Sequence, residues 1–205
     1  MKLGHRREEY RESLREDILD AARQLFVRDG YDATSMRGIA AKVGCSPGIL
    51  YHYFEDKQAI MARLVRETFG LMRNRLNAIR LDTAPVADRL RRGLRAYMEF
   101  GLEHPHHYAL LFMTPHNLEE MPALHQAFEQ DGCETFGCLM AMTAESIAAG
   151  ILRPELKDAA EVAQALWASI HGLVSLQIGV KDFPWIERSR LLDRQVDILI
   201  HGVLK

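Results

Sequence analysis

The stretch SMRGIAAKVGCSPGILYHYFEDK, residues 35–57, contains two short apolar patterns separated by a glycine and a Ser-Pro-Gly turn. Ser35 can cap the N-terminus of a two-turn helix, because its hydroxyl can accept a hydrogen bond from a backbone N–H of the first turn. Gly44 tolerates the positive φ that ends a helix sharply, and Pro47 suits the first turn of the following helix. The stretch therefore predicts a helix-turn-helix whose second helix ends near Phe54.

The second helix of this pair ends in YHYF, residues 51–54, a cluster that one short helix cannot bury completely. Side chains three or four positions apart share a helix face. This spacing predicts an inward face formed by Ile49, Leu50, Tyr53 and Phe54. Tyr51 and His52 then point outward, where a phenol and an imidazole can hydrogen-bond to phosphate. The alternative is an aromatic corner that serves packing alone.

The two ends of this second helix add further polar groups. In helix-turn-helix binding its N-terminal residues, here Ser46, Pro47 and Gly48, lie nearest to the base edges of the major groove. Asp56 is placed to cap the next helix, which begins at Lys57. The charge of Lys57 and the N–H groups of that helix terminus favour the same phosphate.

Apolar residues recur at helical spacing through most of the remaining chain, and prolines fall near the breaks. This pattern predicts helices over about 57–80, 86–103, 106–113, 122–150, 158–180 and 187–204. No period-2 pattern long enough for a strand is present. The predicted fold class is all-α, with a three-helix N-terminal domain over residues 1–57 and a helical C-terminal domain over residues 58–205.

The net charge of −2 hides an asymmetry along the chain. Residues 59–95 hold nine Lys and Arg against three Asp and Glu, whereas residues 96–205 hold seven against fifteen. An acidic body joined to a neutral or basic N-terminal part is compatible with nucleic-acid binding at that end. The charged first twenty residues are unlike a signal peptide, and three cysteines predict no disulfide framework. No apolar run is long enough to span a membrane, so we expect a cytoplasmic protein with no membrane partner.

The stretch LFVRDGYDATSMRGIAAKVGCSPGILYHYFEDKQAIM resembles the DNA-binding domain of the TetR family of transcriptional regulators. The resemblance covers about residues 14–62 and includes Gly30-Tyr31 and the Thr34-Ser35 start of the second helix. It implies an Ω-shaped, all-helical homodimer that binds near-palindromic double-stranded operators, usually as a repressor. It makes residues 1–57 the DNA-binding domain and residues 58–205 the ligand-binding and dimerisation domain.

The same resemblance assigns roles to individual positions. The recognition helix is Pro47–Tyr53. Phosphate contacts fall on Thr34 or Ser35 and on Tyr51, His52 and Lys57. The candidates for reading bases are Arg37, Ser46, Gly48 and Ile49. One position departs from the family, which commonly has an acidic residue three positions after the cap. Here that residue is Gly38, so the reciprocal bond of a capping box is missing.

In the C-terminal part, Trp167, His171 and Gly172 stand in WASIHGLVSL, which resembles the Trp-His-Gly signature of one TetR C-terminal subtype. Trp167 and His171 are four positions apart and share a helix face. Their N–H groups could orient a small, largely apolar effector in a hydrophobic cavity, or both could be satisfied core residues. The candidate lining also includes Phe100, Phe112, Met113, Phe136, Met140 and Met142. Methionine suits ligands of varied shape, although such stripes are more often plain core.

The last two helices carry two apolar stripes that the resemblance makes candidates for the dimer contact. One consists of Leu166, Ile170, Leu173 and Val174, and the other of Leu192, Val196, Leu199 and Val203. Two such stripes per subunit could build a four-helix interface. Either stripe could instead face the core of its own subunit.

A competing hypothesis concerns a histidine-rich stretch, which could bind a metal because imidazole is a common ligand. It contains His104, His106, His107, His116 and His125. No metal-binding spacing accompanies them, and no catalytic motif is present. We therefore expect no enzyme, cofactor or metal site. The expected function is a TetR-type repressor released from DNA by a small molecule. The alternatives are a DNA-binding regulator controlled by a protein partner or a metal, and action as an activator.

Overall fold

The computed structural model describes the backbone of residues 2–205 and the side chains from Glu8 onward. Within that part of the chain the structure is α-helical, and the only β-pairing is an isolated bridge between Leu152 and Leu204. The predicted all-α class is confirmed. No helix among the described residues is long and apolar enough to cross a membrane.

The helices follow one another with short connections. They are α1 (Lys2–Asp29), α2 (Met36–Val43), α3 (Pro47–Tyr53), α4 (Lys57–Arg80), α5 (Val86–Glu103), α6 (Pro105–Phe112), α7 (Pro122–Ala127), α8 (Cys133–Ala148), α9 (Ala159–Gly179) and α10 (Arg188–Val203). A 3₁₀ turn, Leu118–Glu120, precedes α7. Most of these bounds lie within two residues of the prediction, because caps, glycines and prolines mark them locally.

The predicted helix over residues 122–150 is the main exception, because a π-helical turn, Phe128–Gly132, separates α7 from α8. A Cβ atom at Gly132 would lie 3.3 Å from the ring of Phe69, so the backbone approaches this ring closely. The hydroxyl of Thr135 donates to the carbonyl of Asp131 at 2.6 Å. Apolar residues recur at helical spacing on both sides of this turn, and such spacing does not by itself reveal a π-helical turn between two α-helical segments.

The chain forms two compact units. The first comprises Met1–Thr68 and His106–Glu129, and the second comprises Phe69–Pro105 and Gln130–Lys205. The boundary predicted between residues 57 and 58 separates two functional domains, and it does not coincide with the division into compact units. It stays a prediction.

The first unit has a core to which all of its N-terminal helices contribute. The fully buried side chains include Ile18, Phe26, Ile39, Leu50, Ile60 and Leu64. They come from α1, α2, α3 and α4, so each short helix is held by at least one apolar side chain. Burying such a side chain contributes about 1.5–3 kcal/mol.

The second unit packs α5 against α8, α9 and α10. Most members of the two stripes that were candidates for a dimer contact lie in this core, because Leu166, Ile170 and Val174 of α9 and Leu192 and Val196 of α10 are buried within the single chain. Leu173, Leu199 and Val203 are half-buried. This burial favours the alternative that the stripes face the core of their own subunit, and their role in a dimer stays a prediction. Periodicity shows that a helix has an apolar face, but it does not show which partner covers that face.

Gly38 weakens the first turn of α2, and its replacement should stabilise the protein. The Ser35 hydroxyl accepts a hydrogen bond from the Gly38 N–H at 3.1 Å. Gly38→Ala should raise the free energy of unfolding by about 0.5–1 kcal/mol, because alanine loses less backbone freedom. Gly38→Glu should add a further gain, since its carboxylate can accept a bond from the Ser35 backbone N–H. The prediction is checked by comparing the melting temperature of each variant with that of the wild type.

The new Cβ at position 38 would lie 3.3 Å from the Ser35 hydroxyl oxygen, and this exposed side chain can shift by a few tenths of an ångström. The double variant Ser35→Ala/Gly38→Glu is the control, because it removes the cap while keeping the glutamate. A melting temperature that stays level or falls in Gly38→Glu contradicts the prediction.

Candidate functional site

The turn between α2 and α3 depends on the left-handed conformation of Gly44. Its φ is +81°, and its N–H donates to the carbonyls of Ala40 at 3.0 Å and Ala41 at 3.3 Å. The N–H of Cys45 also donates to the carbonyl of Ala40, at 3.0 Å. Carbonyls at the end of α2 are thus satisfied within the turn, as in glycine-ended helices generally. Three residues, 44–46, therefore suffice to connect α2 to α3.

α3 begins and ends with local caps. The Ser46 hydroxyl accepts from the Ile49 N–H at 3.3 Å, Pro47 is the first helical residue, and the Phe54 N–H donates to the Leu50 carbonyl at 3.0 Å. Leu50 is fully buried, Phe54 is buried and Tyr53 is half-buried. These three side chains form the predicted inward face.

Ile49 does not belong to that inward face, contrary to the prediction. Its side chain is 43% exposed. Successive residues on a helix are about 100° apart. With Leu50 and Phe54 on the inward stripe, Ile49, the residue before Leu50, is therefore turned toward solvent. Ile49 was also a candidate for reading bases, and its exposure is compatible with that role.

The outward face of α3 holds most of the other candidates. Tyr51 is 55% exposed and His52 is exposed, as predicted. Ser46, Pro47 and Gly48 are exposed around the N-terminus of α3, and so are Ser35 and Arg37 at the start of α2. A phenol, an imidazole, hydroxyls and a guanidinium can donate hydrogen bonds to phosphate or to base acceptors. This surface can therefore both position a duplex and read it.

Thr34 and Lys57 bind groups of their own chain instead. The Thr34 side chain is buried, and its hydroxyl donates to the Gly30 carbonyl at 2.8 Å. Lys57 Nζ donates to the carbonyls of Tyr31 at 2.5 Å and Thr34 at 2.9 Å. Burial lowers the pKa of Lys57 below its ordinary value. Phosphate contacts by these two side chains stay predictions, and of the pair Thr34 and Ser35 only Ser35 is exposed.

The second unit contains a chain of hydrogen bonds that links α5 to α9. Trp167 Nε1 donates to the Tyr97 hydroxyl oxygen at 3.0 Å, and this oxygen lies 3.3 Å from His171 Nδ1. His171 Nε2 lies 3.3 Å from the Ser175 hydroxyl oxygen. The structure thus brings Trp167 and His171 together, as their spacing predicts. Tyr97 was missed, although a tyrosine on the apolar face of a helix must find a partner for its hydroxyl.

The donors in this chain have a preferred direction. An indole N–H can only donate, so the Tyr97 oxygen is its acceptor. The Tyr97 hydroxyl can then donate a hydrogen bond to Nδ1 of a neutral His171 imidazole. In that tautomer the ring proton is on Nε2, which faces Ser175. Burial lowers the pKa of His171 from its ordinary value, which favours this neutral ring.

The remaining candidates for the effector site are distributed unevenly. Phe136 packs against Trp167 with ring centroids 5.7 Å apart, and Met140 is half-buried one turn further along α8. Phe100 is buried and contacts the His104 ring, with centroids 5.0 Å apart. Phe112 and Met113 belong to the first compact unit, so the candidate set is divided between the two units.

The histidine-rich stretch holds no obvious metal centre. Within the part of the chain that the structure describes, no three His, Cys, Asp or Glu side chains converge as a metal site would require. His116 Nε2 lies 2.7 Å from the Leu110 carbonyl, and His125 Nε2 lies 3.4 Å from a Glu129 carboxylate oxygen. Each of these rings has a local partner.

Models of known families match most of the chain. Residues 18–64 match the model described as bacterial regulatory proteins, tetR family, and residues 90–199 match the Tetracyclin repressor-like C-terminal domain. The chain is 38% identical over 60 residues to the HTH-type transcriptional repressor Rv1474c of Mycobacterium tuberculosis, which is 29% of this chain and 32% of that protein. It is 28% identical over 145 residues to the HTH-type transcriptional repressor KstR2 of Mycolicibacterium smegmatis, 70% of each. The matched stretch thus spans about a third of the first relative.

Two solved structures share the fold over nearly the whole chain. The ketosteroid transcriptional regulator KstR2 of Mycobacterium tuberculosis has a TM-score of 0.76 at 23% identity, covering 93% of this chain and 95% of its own. The transcriptional regulator FadR of Bacillus subtilis, in complex with stearoyl-CoA, has a TM-score of 0.77 at 21% identity, covering 91% and 98%. At these identities the likeness shows the fold.

The lowered pKa of His171 predicts a pH dependence of stability. The unfolded chain takes up a proton at this residue near pH 6.5, whereas the folded chain does so only at lower pH. Because the unfolded state binds more protons in that window, stability falls as the pH drops below about 6.5. His171→Gln should lose less stability than the wild type between about pH 7 and about pH 5. Urea unfolding at a series of pH values measures the difference, and identical pH profiles contradict the prediction.

Proposed function

This chain belongs to the TetR family of bacterial regulatory proteins, and we propose that it is a homodimeric repressor that releases its operator when a small, largely apolar effector binds. It acts in the cytoplasm on a near-palindromic duplex site. Residues 1–57 carry the DNA contacts, and residues 58–205 carry the effector site and the dimer contact. The observation that supports this most is the exposed polar face of α3.

The face of α3 that does not pack is the candidate contact surface. Tyr51 is 55% exposed on it, beside the exposed His52. Both residues carry polar groups suited to phosphate, and the exposed N-terminus of α3 carries the residues suited to base edges. In this proposal Ser35, Tyr51 and His52 position the duplex.

A homodimer needs an apolar surface, and the second unit has exposed candidates beside the two largely buried stripes. The exposed large apolar side chains near the end of α9, in the following loop and on α10 are Leu176, Val180, Phe183, Ile186 and Ile198. Exposed apolar groups in one part of a chain favour an interaction surface. Two copies related by a two-fold axis would place two α3 helices one turn of DNA apart, about 34–36 Å.

The proposed effector is apolar with a polar group, and two observations support this class. FadR of Bacillus subtilis was solved in complex with stearoyl-CoA, and KstR2 of Mycobacterium tuberculosis is described as a ketosteroid regulator. In this chain, Trp167 and Phe136 offer apolar surface beside the hydrogen-bonding groups of Tyr97 and His171. A coupling of about 1–3 kcal/mol between the two binding events would suffice for release of DNA.

Operator binding is tested first. Duplex DNA from immediately upstream of this protein's own gene is titrated in a mobility-shift assay against unrelated competitor DNA at fixed salt. A parallel selection from a random duplex pool finds sites elsewhere. We expect tight, competitor-resistant binding to a near-palindromic site. If neither experiment yields a preferred sequence, the proposed function is wrong.

Two substitutions should separate positioning from reading. Tyr51→Phe removes one phenol hydrogen bond and should weaken binding about 3- to 10-fold on all duplexes, because a phosphate contact carries no sequence information. Arg37→Gln should relax discrimination at one base pair by about 1–3 kcal/mol. Arg190→Gln, an exposed change on α10, is the control and should leave binding unchanged. Equal losses on all duplexes for Arg37→Gln would exclude a reading role.

The effector site is tested with the two tryptophans of the chain. Stearoyl-CoA and a ketosteroid are added separately, and the melting temperature and operator binding are measured. A ligand at about a hundred times its Kd stabilises the folded state by about 2.7 kcal/mol. Trp167→Phe should reduce this stabilisation and the release of DNA while sparing operator binding without ligand. Trp185→Phe, whose Nε1 donates to the Val180 carbonyl, is the matched control. A full response in Trp167→Phe places the effector elsewhere.

A further inference from the structure

The ammonium of Lys57 is surrounded by groups of its own chain. Nζ donates to the Tyr31 carbonyl at 2.5 Å and to the Thr34 carbonyl at 2.9 Å. It also lies 4.0 Å from the centroid of the Tyr31 ring, over its face. An ammonium has three N–H donors, and a ring face attracts a cation. Two carbonyls and one ring face thus lie within reach of the ammonium.

These contacts join two points that are distant along the chain. Tyr31 and Thr34 lie in the turn that leads into α2, whereas Lys57 is the first residue of α4, 26 and 23 positions later. The helix-turn-helix lies between these two points. One ammonium thus ties the segment before α2 to the segment after α3.

The turn held by Lys57 is itself anchored in the core. The Tyr31 ring packs against Phe26 of α1, with centroids 5.4 Å apart, and Phe26 is fully buried. At the α4 end of these contacts, the Asp56 carboxylate accepts a hydrogen bond from the Ala59 N–H at 2.7 Å and so caps the start of α4. The Lys57 contacts therefore connect α1 and α4 around α2 and α3.

These contacts within the chain oppose a move of the Lys57 ammonium toward a DNA phosphate. Such a move would leave the carbonyls of Tyr31 and Thr34 without this donor, and a lost bond to a charged group is costly. Burial raises the pKa of the Tyr31 phenol to about 12, with contributions from Asp56 and Asp32, so the ring beneath the cation stays neutral.

We propose that Lys57 is a positioning residue that holds α2 and α3 in their DNA-binding arrangement from inside the protein, and that it does not neutralise a DNA phosphate. The inference rests on the proposed function only for its effect on DNA affinity. The clamp between α4 and the 31–34 turn is independent of any ligand. It replaces the expectation that the charge of Lys57 faces the duplex.

Lys57→Met tests the clamp, because methionine keeps much of the length and loses the charge. Thermal melting without DNA should show a fall of about 4–8 °C, and amide hydrogen exchange should become faster across residues 31–45. Operator affinity should fall about 10-fold or more, because α3 is less well ordered. The slope of log K against log salt should stay at the wild-type value. Loss of a phosphate contact would instead reduce the magnitude of that slope by about 0.9.

Two further variants keep the test decisive. Tyr31→Leu removes the ring but no charge, and it should give a smaller fall in melting temperature with an unchanged salt slope, even if Lys57→Met does not fold. Lys42→Met removes an exposed cation of the same unit and should leave the melting temperature unchanged.

The outcomes separate the clamp from the proposed function. If the wild type binds no duplex preferentially, melting and hydrogen exchange still decide whether the clamp exists. An unchanged melting temperature in Lys57→Met overturns the proposal. A salt slope reduced by about 0.9 in Lys57→Met also overturns it, because the charge then acts on DNA.

Discussion

The first unit depends on holding a seven-residue helix that could not stand alone. Isolated helices shorter than about 12 residues are marginal in water, because nucleation costs more than a few hydrogen bonds return. α3 is therefore stabilised from outside its own backbone. Leu50 and Phe54 are buried among the neighbouring helices, Ser46 caps its start, and the left-handed Gly44 sets the direction from which it begins. Because packing uses one narrow face, the opposite face stays free for other contacts.

The second unit solves a different problem, which is to place polar groups inside an apolar bundle. Arg89 is buried on α5, and its guanidinium donates to the Ala84 and Arg80 carbonyls at 2.9 Å and 2.7 Å and to the Glu145 carboxylate. A buried charge is tolerated when several acceptors surround it. The hydroxyl of Tyr97 is satisfied in the same way by Trp167 and His171. Such satisfied networks are specific in geometry, so they favour one arrangement of α5 and its neighbours.

The two units thus offer different surfaces for different chemistry. The first presents hydroxyl, phenol, imidazole and guanidinium groups in water, where they can meet a charged duplex. The second combines aromatic rings with a few directed hydrogen bonds, the composition common in small-molecule sites. A regulator of the TetR family requires both kinds of surface in one chain. Lys57 acts in the first unit by joining its helices, although its charge alone suggests a surface role.

The sequence by itself determined the features that depend on near neighbours. Helix ends, the Gly44 turn, the Ser35 cap and the outward direction of Tyr51 could all be predicted, because caps and helix faces involve residues within about four positions. The family and the all-α class followed from the same local motifs. Tertiary structure alone decided which distant groups meet. Lys57 contacts the 31–34 turn, Tyr97 contacts partners 70 and 74 positions later, and most residues of the α9 and α10 stripes are buried in their own chain. Packing selects such partners from many chemically equivalent ones, and a linear pattern does not distinguish among them.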